Sequence, residues 1–149
     1  MYDRILLPTD GSDTADLAAE RAIDTAARHD AELHVLYVAE RTRDEPTQKG
    51  FEEKLTEELQ TGEDVLEPVA DRATEVGVET EETVTSGVPR TTIEQYAADH
   101  DIGLIVIGST GASDVSEKLL GTVSKYIVNE APADVFVVRP DVLLSDAAE

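Results

Sequence analysis

Residues 104–124 read Leu104-Ile-Val-Ile-Gly-Ser-Thr-Gly-Ala-Ser-Asp-Val-Ser-Glu-Lys-Leu-Leu-Gly-Thr-Val-Ser124. The uninterrupted apolar run at the start is typical of a strand that is buried on both faces. Two glycines three residues apart follow the run, and a third stands directly before Thr122. Glycine lets the backbone approach a ligand closely. A helix that begins near Thr122 directs its free N–H groups and the positive end of its dipole to the same place. The stretch therefore predicts an anion site, and phosphate groups suit it best.

On either side of this stretch, short apolar runs alternate with segments in which apolar residues recur at helical spacing. The alternation predicts an α/β fold, with parallel strands, right-handed crossovers and helices on both faces of an open sheet. Acidic residues in the third run indicate a wetter strand at the edge of the sheet. The predicted strands cover residues 3–8, 32–38, 78–85, 104–107 and 135–138, and the predicted helices cover residues 15–28, 51–76, 91–100 and 122–130.

Glycine and proline interrupt the regular pattern at two places. Gly62 and Pro68 lie inside the segment 51–76, which predicts a kink or two abutting helices in place of one straight rod. Residues 39–49 are polar and have no period, so we expect a loop that leaves the carboxyl end of the sheet.

Three predicted strands end in residues that suit a ligand. In an open parallel sheet, ligands bind beyond the carboxyl ends of the strands, where the strand order reverses. Pro8-Thr9-Asp10 closes the first strand, Val38 the second and Gly108 the fourth, so we expect these residues to converge. Asp10 faces the ligand in this interpretation; the alternative is that it only forms the turn and caps the next helix.

The chain carries 33 Asp and Glu against 12 Lys and Arg, a formal net charge of −21 that is spread along its length. Repulsion on this scale destabilises a compact state at low salt, whereas at molar salt the Debye length falls to about 3 Å and screens most of it. We therefore hypothesise a halophilic cytoplasmic protein, the alternative being an acidic mesophilic one. Nucleic acid is an unsuitable partner, because no basic patch offers contacts to phosphates.

Several other classes of protein are disfavoured by composition and length. No apolar run is long enough to span a membrane, and the N-terminus has no signal-peptide pattern, so we expect no membrane association. The chain has no cysteine, which excludes disulfides and thiolate metal sites. Its 149 residues suit one domain; we expect that domain over residues 1–140, followed by a loosely held C-terminal tail, 141–149.

Two familiar phosphate-binding loops are absent from the sequence. No Gly-x-x-x-x-Gly-Lys-Ser/Thr occurs, so the chain is not a P-loop NTPase, and no Gly-x-Gly-x-x-Gly follows the first strand. What does occur is Gly108-x-x-Gly111, nine residues, and then Gly121-Thr122. The pattern lies after a buried strand and before a helix, and this position favours a phosphate-binding role over that of an ordinary turn.

This glycine pattern resembles that of the universal stress protein family, and in particular of its ATP-binding branch. The resemblance covers nearly all of residues 1–140 and implies an open five-stranded parallel sheet of order 3-2-1-4-5, with a homodimer joined through the last strands. The stretches that carry it are Ile5-Leu-Leu-Pro-Thr-Asp-Gly-Ser12, Gly87-Val-Pro89, Gly108-Ser-Thr-Gly111, Leu120-Gly-Thr-Val-Ser124 and Val135-Phe-Val-Val-Arg139.

The resemblance also implies how ATP is held. Pro8 and Val38 bracket the adenine, and Asp10 lies near the phosphates through a divalent cation, Mg²⁺ or Mn²⁺. The two glycine segments line the ribose and hold the phosphates with N–H groups and hydroxyls. The implied binding residues are Pro8, Thr9, Asp10, Val38, Gly108, Ser109, Thr110, Gly111, Ser113, Gly121, Thr122, Val123 and Ser124. One departure from the family pattern is that Asp114 and Glu117 lie between the glycines, where basic residues are frequent.

The function that follows is an ATP-binding, dimeric stress-response module with at most slow hydrolysis, since the pattern has no placed general base and no arginine finger. Two alternatives stay open. One is a metal-dependent ATPase or nucleotide-dependent transferase that uses Asp10, and the other is a scaffold that binds no nucleotide. His29, His34 and His100 lie outside the glycine loops, and we interpret them as surface or strand-packing residues.

Overall fold

The structure, a computed structural model, describes residues 1–40, 51–109 and 121–139, and for residues 51–55 it describes the backbone alone. Five strands and four helices alternate along these residues. In chain order they are β1 (Arg4–Pro8), α1 (Asp13–His29), β2 (Glu32–Glu40), α2 (Phe51–Glu75), β3 (Thr80–Gly87), α3 (Pro89–Asp99), β4 (Leu104–Gly108), α4 (Thr122–Glu130) and β5 (Asp134–Val138).

The five strands form one sheet in the order β3-β2-β1-β4-β5, and every neighbouring pair is parallel. This confirms the predicted order and the position of β3 at an edge, where more of its residues are exposed than in the central strands. The sheet is parallel because each strand returns to the next through a helix. Among the described residues, no helix is long and apolar enough to cross a lipid bilayer.

Side chains from successive strand residues enter two different cores. In β1, Ile5 and Leu7 point toward α1 and α2, whereas Leu6 points toward α3 and α4. All three are fully buried, as expected for a strand covered by helices on both faces. The predicted alanine stripe lets α1 lie close against the sheet, since Ala18, Ala19, Ala22 and Ala26 have no exposed surface.

The structure corrects two predictions about the elements. Strand β2 continues to Glu40, because its last residues, Ala39 and Glu40, pair with Ser86 and Gly87 of β3. The first two residues of the predicted loop 39–49 are therefore strand, and residues 41–49 lie outside the described residues, as does the predicted tail 141–149.

The second correction concerns α2, which is a single helix through Pro68, so the alternative of two abutting helices is wrong. Pro68 is exposed, and the carbonyl group four residues earlier, which loses its helical partner, can therefore bond to water. Gly62 does not break the helix either. It is buried, and it lies where α2 approaches Tyr37 of β2 and Val84 of β3.

Candidate functional site

The strand order reverses beside β1, since the chain builds β2 and β3 on one side of it and β4 and β5 on the other. Such a reversal opens a crevice at the carboxyl ends of the central strands, because the helices that follow them lie on opposite faces of the sheet. Pro8 and Gly108 are the last residues of β1 and β4 at this edge, and Val38 lies two residues before the end of β2.

The turn between β1 and α1 is closed by its own polar side chains. The N–H of Gly11 donates to Thr9 Oγ1 at 3.2 Å, and the N–H of Ser12 donates to Asp10 Oδ1 at 2.9 Å. Ser12 then caps α1 by accepting from the N–H of Ala15 at 3.2 Å. Asp10 thus forms the turn, as the second interpretation of this residue predicts. The helix cap is Ser12 and not Asp10.

Asp10 is exposed at the edge of the crevice and lies close enough to Tyr37 to change the pKa of its hydroxyl. Burial raises the pKa of the Tyr37 hydroxyl above its ordinary value, and the carboxylates of Glu58 and Asp10 raise it further. Two carboxylates therefore share one side of the candidate site. A phosphate placed beside them needs a cation between the negative groups.

Two hydrogen bonds attach the start of α4 to the end of β4. The Ser124 hydroxyl donates to the Gly108 carbonyl at 2.6 Å, and the N–H of Gly121 donates to the Ser109 carbonyl at 2.6 Å. Ser124 is only 3% exposed. Its hydroxyl proton is thus used to position the helix, and the group that it can direct outward is its backbone N–H.

Within the described residues, no side chain caps the N-terminus of α4. Gly121 is the N-cap residue, with φ −65° and ψ 164°, and the first turn contains no acidic residue. The first N–H groups of a helix have no partner within the helix, and the helix dipole favours an anion at this end. Thr122 is exposed and Val123 is half-buried at this end.

Ser109 follows β4 directly and is 1% exposed. Within residues 1–40, 51–109 and 121–139, its hydroxyl has no hydrogen-bond partner. The remaining members of the expected site, Thr110, Gly111 and Ser113, lie outside the described residues, as do Asp114 and Glu117.

A hollow of about 660 Å³ lies elsewhere, beside the first residues of β4 and β5, and none of the expected binding residues lines it. Its lining residues include Tyr2, Thr25, Asp134 and Phe136. The hollow is thus separate from the crevice at the carboxyl ends.

One polar cluster was not singled out from the sequence. His34 is a strand-packing residue, as expected, but it is 2% exposed and lies among Glu32, Glu81 and Tyr96. Burial raises the pKa of Tyr96; its hydrogen bond with Thr83 opposes this, and the two carboxylates add to it. Glu32 and His34 are two residues apart in an apolar strand, which places both on one face; that spacing was the available signal.

Comparison with known proteins identifies the family. Residues 1–139 match the model of the Universal stress protein family. A universal stress protein of Methanocaldococcus jannaschii is 35% identical over 144 residues, which cover 93% of this chain and 83% of that protein.

Solved structures agree with the sequence match. UspA from Lactobacillus plantarum is similar with a TM-score of 0.82 and 31% identity, over 93% of this chain and 98% of that one. A universal stress protein crystallised in complex with cAMP is similar with a TM-score of 0.73 and 25% identity, over 93% of this chain and 97% of that one. This chain belongs to the universal stress protein family.

Proposed function

We propose that this protein binds ATP in the crevice between β1 and β4 and acts as a dimeric cytoplasmic stress-response module that hydrolyses ATP slowly at most. The observation that carries the proposal is the N-terminus of α4, which no side chain of the described residues caps and which is attached to the last residue of β4 at the point where the strand order reverses. The relative in complex with cAMP supports an adenine nucleotide as the ligand.

In this proposal the phosphates lie at the start of α4. The backbone N–H groups of Thr122, Val123 and Ser124 donate to them, and the exposed Thr122 hydroxyl adds a further donor. Hydrogen bonds to a charged phosphate are stronger than those between neutral groups, since the acceptor is ionised. The ribose and the remaining phosphate oxygens are assigned to the first glycine segment, with Gly108, Ser109, Thr110, Gly111 and Ser113.

The adenine is assigned to the apolar side of the crevice. Pro8 is buried at the end of β1, and Val38 is half-buried in β2, the neighbouring strand. A flat aromatic base gains from contact with such apolar surface. Val38 also offers its backbone for hydrogen bonds to the edge of the base.

Asp10 and Thr9 are assigned to the cation and the turn that presents it. One oxygen of Asp10 already accepts from the N–H of Ser12, which fixes the direction of the carboxylate. A hard divalent cation, Mg²⁺ or Mn²⁺, bound through one carboxylate and the phosphates is the usual arrangement in nucleotide sites. The cation also offsets the repulsion between the phosphates and the carboxylates at this side.

The proposed phosphate contact is tested by two substitutions of Thr122 in an ATP titration by calorimetry, in molar KCl with Mg²⁺. Thr122→Ala removes only the hydroxyl, whereas Thr122→Pro also removes the N–H. Proline is tolerated at the first position of a helix, and Gly121 already has the extended backbone that precedes proline. We expect Thr122→Pro to bind ATP about tenfold more weakly than Thr122→Ala.

Equal affinities of the two variants would contradict a role for this N–H group. Titrations of the unsubstituted protein with AMP and cAMP define the nucleotide preference, and omission of Mg²⁺ tests the cation. If no nucleotide gives heat, the scaffold alternative is correct; if ATP turns over at enzyme-like rates, the ATPase alternative is.

The dimer is proposed to form through β5. In the described part of the chain this strand pairs with β4 and with no other strand, so its other edge offers unpaired backbone groups. Phe136 of β5 is 40% exposed, a large apolar side chain next to that open edge. Pairing with β5 of a second copy satisfies the backbone groups and covers Phe136.

Phe136→Asp is therefore expected to convert the dimer to a monomer, because it places like charges opposite each other across the symmetric interface. Light scattering coupled to size exclusion measures the mass. Val76→Asp is the matched control, since Val76 is 58% exposed beyond the end of α2 and should leave the dimer intact. A monomer in the unsubstituted protein, or a dimer in Phe136→Asp, would refute this arrangement.

A further inference from the structure

The amino-terminal halves of β2 and β3 carry a second group of polar side chains, away from the crevice at the carboxyl ends. Glu32 begins β2, and His34 follows on the same face of that strand. Glu81 of β3 is the register partner of His34, so its side chain lies on that face as well. Val38, at the crevice, is four residues further along β2, about 13 Å away.

The three side chains are close enough to share one ion. The Nε2 atom of His34 lies 2.5 Å from Glu32 Oε1, and Nδ1 lies 3.3 Å from Glu81 Oε2. One ligand atom from each of the three residues falls within 4.8 Å of the others. Ligands at about 2.1 Å from a common ion are at most about 4.2 Å apart. Glu81 Oε2 contacts Nδ1, whereas Glu32 contacts Nε2, so the exposed side chain of Glu81 must rotate toward Nε2 to complete the arrangement.

The imidazole of His34 is held in place by α3. Its Nδ1 atom is 2.6 Å from the Tyr96 hydroxyl, and the Tyr96 ring is stacked on His100 with ring centroids 3.8 Å apart. His34 is 2% exposed, so its ring has little freedom to turn. A histidine whose second nitrogen is hydrogen-bonded in this manner has the orientation that metal-binding histidines require.

We propose that Glu32, His34 and Glu81 bind a divalent transition-metal cation, such as Zn²⁺, at the amino-terminal halves of β2 and β3. His34 binds through Nε2, while Nδ1–H donates to the Tyr96 hydroxyl. One imidazole with two carboxylates is a ligand set that suits Zn²⁺, whereas Mg²⁺ and Ca²⁺ favour sites built from oxygen alone. The site goes beyond the proposed nucleotide function and does not depend on it.

Without a metal ion, Nε2 of His34 and Glu32 Oε1 are joined by a hydrogen bond. The cation replaces this hydrogen bond, and the Glu32 oxygen moves from 2.5 Å to about 3.3 Å from Nε2, the usual separation of two ligands on one tetrahedral ion. The movement is feasible because the side chain of Glu32 is 37% exposed, and that of Glu81 57%. The same exposure gives the ion a path from solvent, and the two carboxylates balance its charge.

The test must separate this site from the many surface carboxylates, which attract any divalent cation. Zn²⁺ is therefore titrated by calorimetry into the 149-residue chain in molar KCl with an excess of Mg²⁺. We expect one Zn²⁺ per chain to bind. Glu81→Gln should weaken that binding by about tenfold or more, while Glu82→Gln, the same change of charge at the next residue of β3, should not alter it.

His34→Gln should abolish the binding, and His29→Gln, at a histidine outside the cluster, should leave it unchanged. Co²⁺ provides a second readout, since its visible absorption changes when it gains a nitrogen ligand in a site of low coordination number. Because His34 is buried and its variant can fail to fold, the exposed Glu81 decides the outcome. Equal affinity in Glu81→Gln and Glu82→Gln, or Zn²⁺ bound no more tightly than Mg²⁺, would overturn the proposal.

Discussion

Transfer from molar KCl to about 10 mM KCl is expected to lower the melting temperature of this protein by about 10 °C or more. At the lower concentration the Debye length is about 30 Å, longer than the roughly 15 Å radius of gyration of a domain of this size. The net charge of −21 therefore repels itself across the whole molecule. Thermal melts across a KCl series, followed by circular dichroism, measure the shift.

A charge-reduced variant separates this repulsion from other effects of salt. Glu63, Glu67 and Asp71 are exposed and lie four residues apart along one ridge of α2, where like charges repel. Replacing them with Gln, Gln and Asn should raise the melting temperature at low salt and reduce the dependence on KCl. A melting temperature that is independent of KCl in the unsubstituted protein would refute the halophilic hypothesis.

Gly62→Leu is expected to destabilise the protein by about 3 kcal/mol, although the same change in an exposed helix would stabilise it by up to about 1 kcal/mol. A Cβ atom at Gly62 would lie 2.7 Å from Tyr37 Cδ1 and 2.7 Å from Val84 Cγ1. Tyr37 and Val84 are half-buried and packed against the core, so the overlap is relieved only if one of these side chains or α2 itself shifts. Denaturation in urea at constant high salt measures the difference.

Thr61→Leu is the matched control, since it places the same side chain at the neighbouring, exposed position of the same helix. It should leave stability nearly unchanged. Gly62→Ala introduces the Cβ atom alone. We expect it to lower the free energy of unfolding by about 1 kcal/mol, because the cost of overpacking exceeds the gain in helix propensity. If Gly62→Ala stabilises the protein, the close approach of α2 to the sheet is wrong.

Gly62 also shows why sequence reasoning succeeded for some features and not for others. A glycine inside a helical pattern predicts a kink, since its low helix propensity is a property of the residue alone. Its role as the contact between α2 and two strands depends on Tyr37 and Val84, which are distant in sequence. No local pattern contains that information.

The candidate site divides in the same manner. Gly108, Gly121 and Thr122 could be found from the sequence, because a buried strand, a glycine loop and a helix start have recognisable local patterns. The use of the Ser124 hydroxyl could not be found, because its acceptor, the Gly108 carbonyl, is 16 residues away and its position depends on how α4 packs.

The local sequence pattern was therefore enough to predict the strands, the helices, their parallel arrangement and the edge of the sheet where a ligand is expected. Burial on two faces and helical crossovers each produce a characteristic order of apolar and polar residues. The tertiary structure alone decided which polar groups meet. Glu32 and His34 acquire Glu81 and Tyr96 as neighbours only through the pairing of β2 with β3 and the packing of α3. Such contacts join residues tens of positions apart, and their geometry is determined by the whole packed fold.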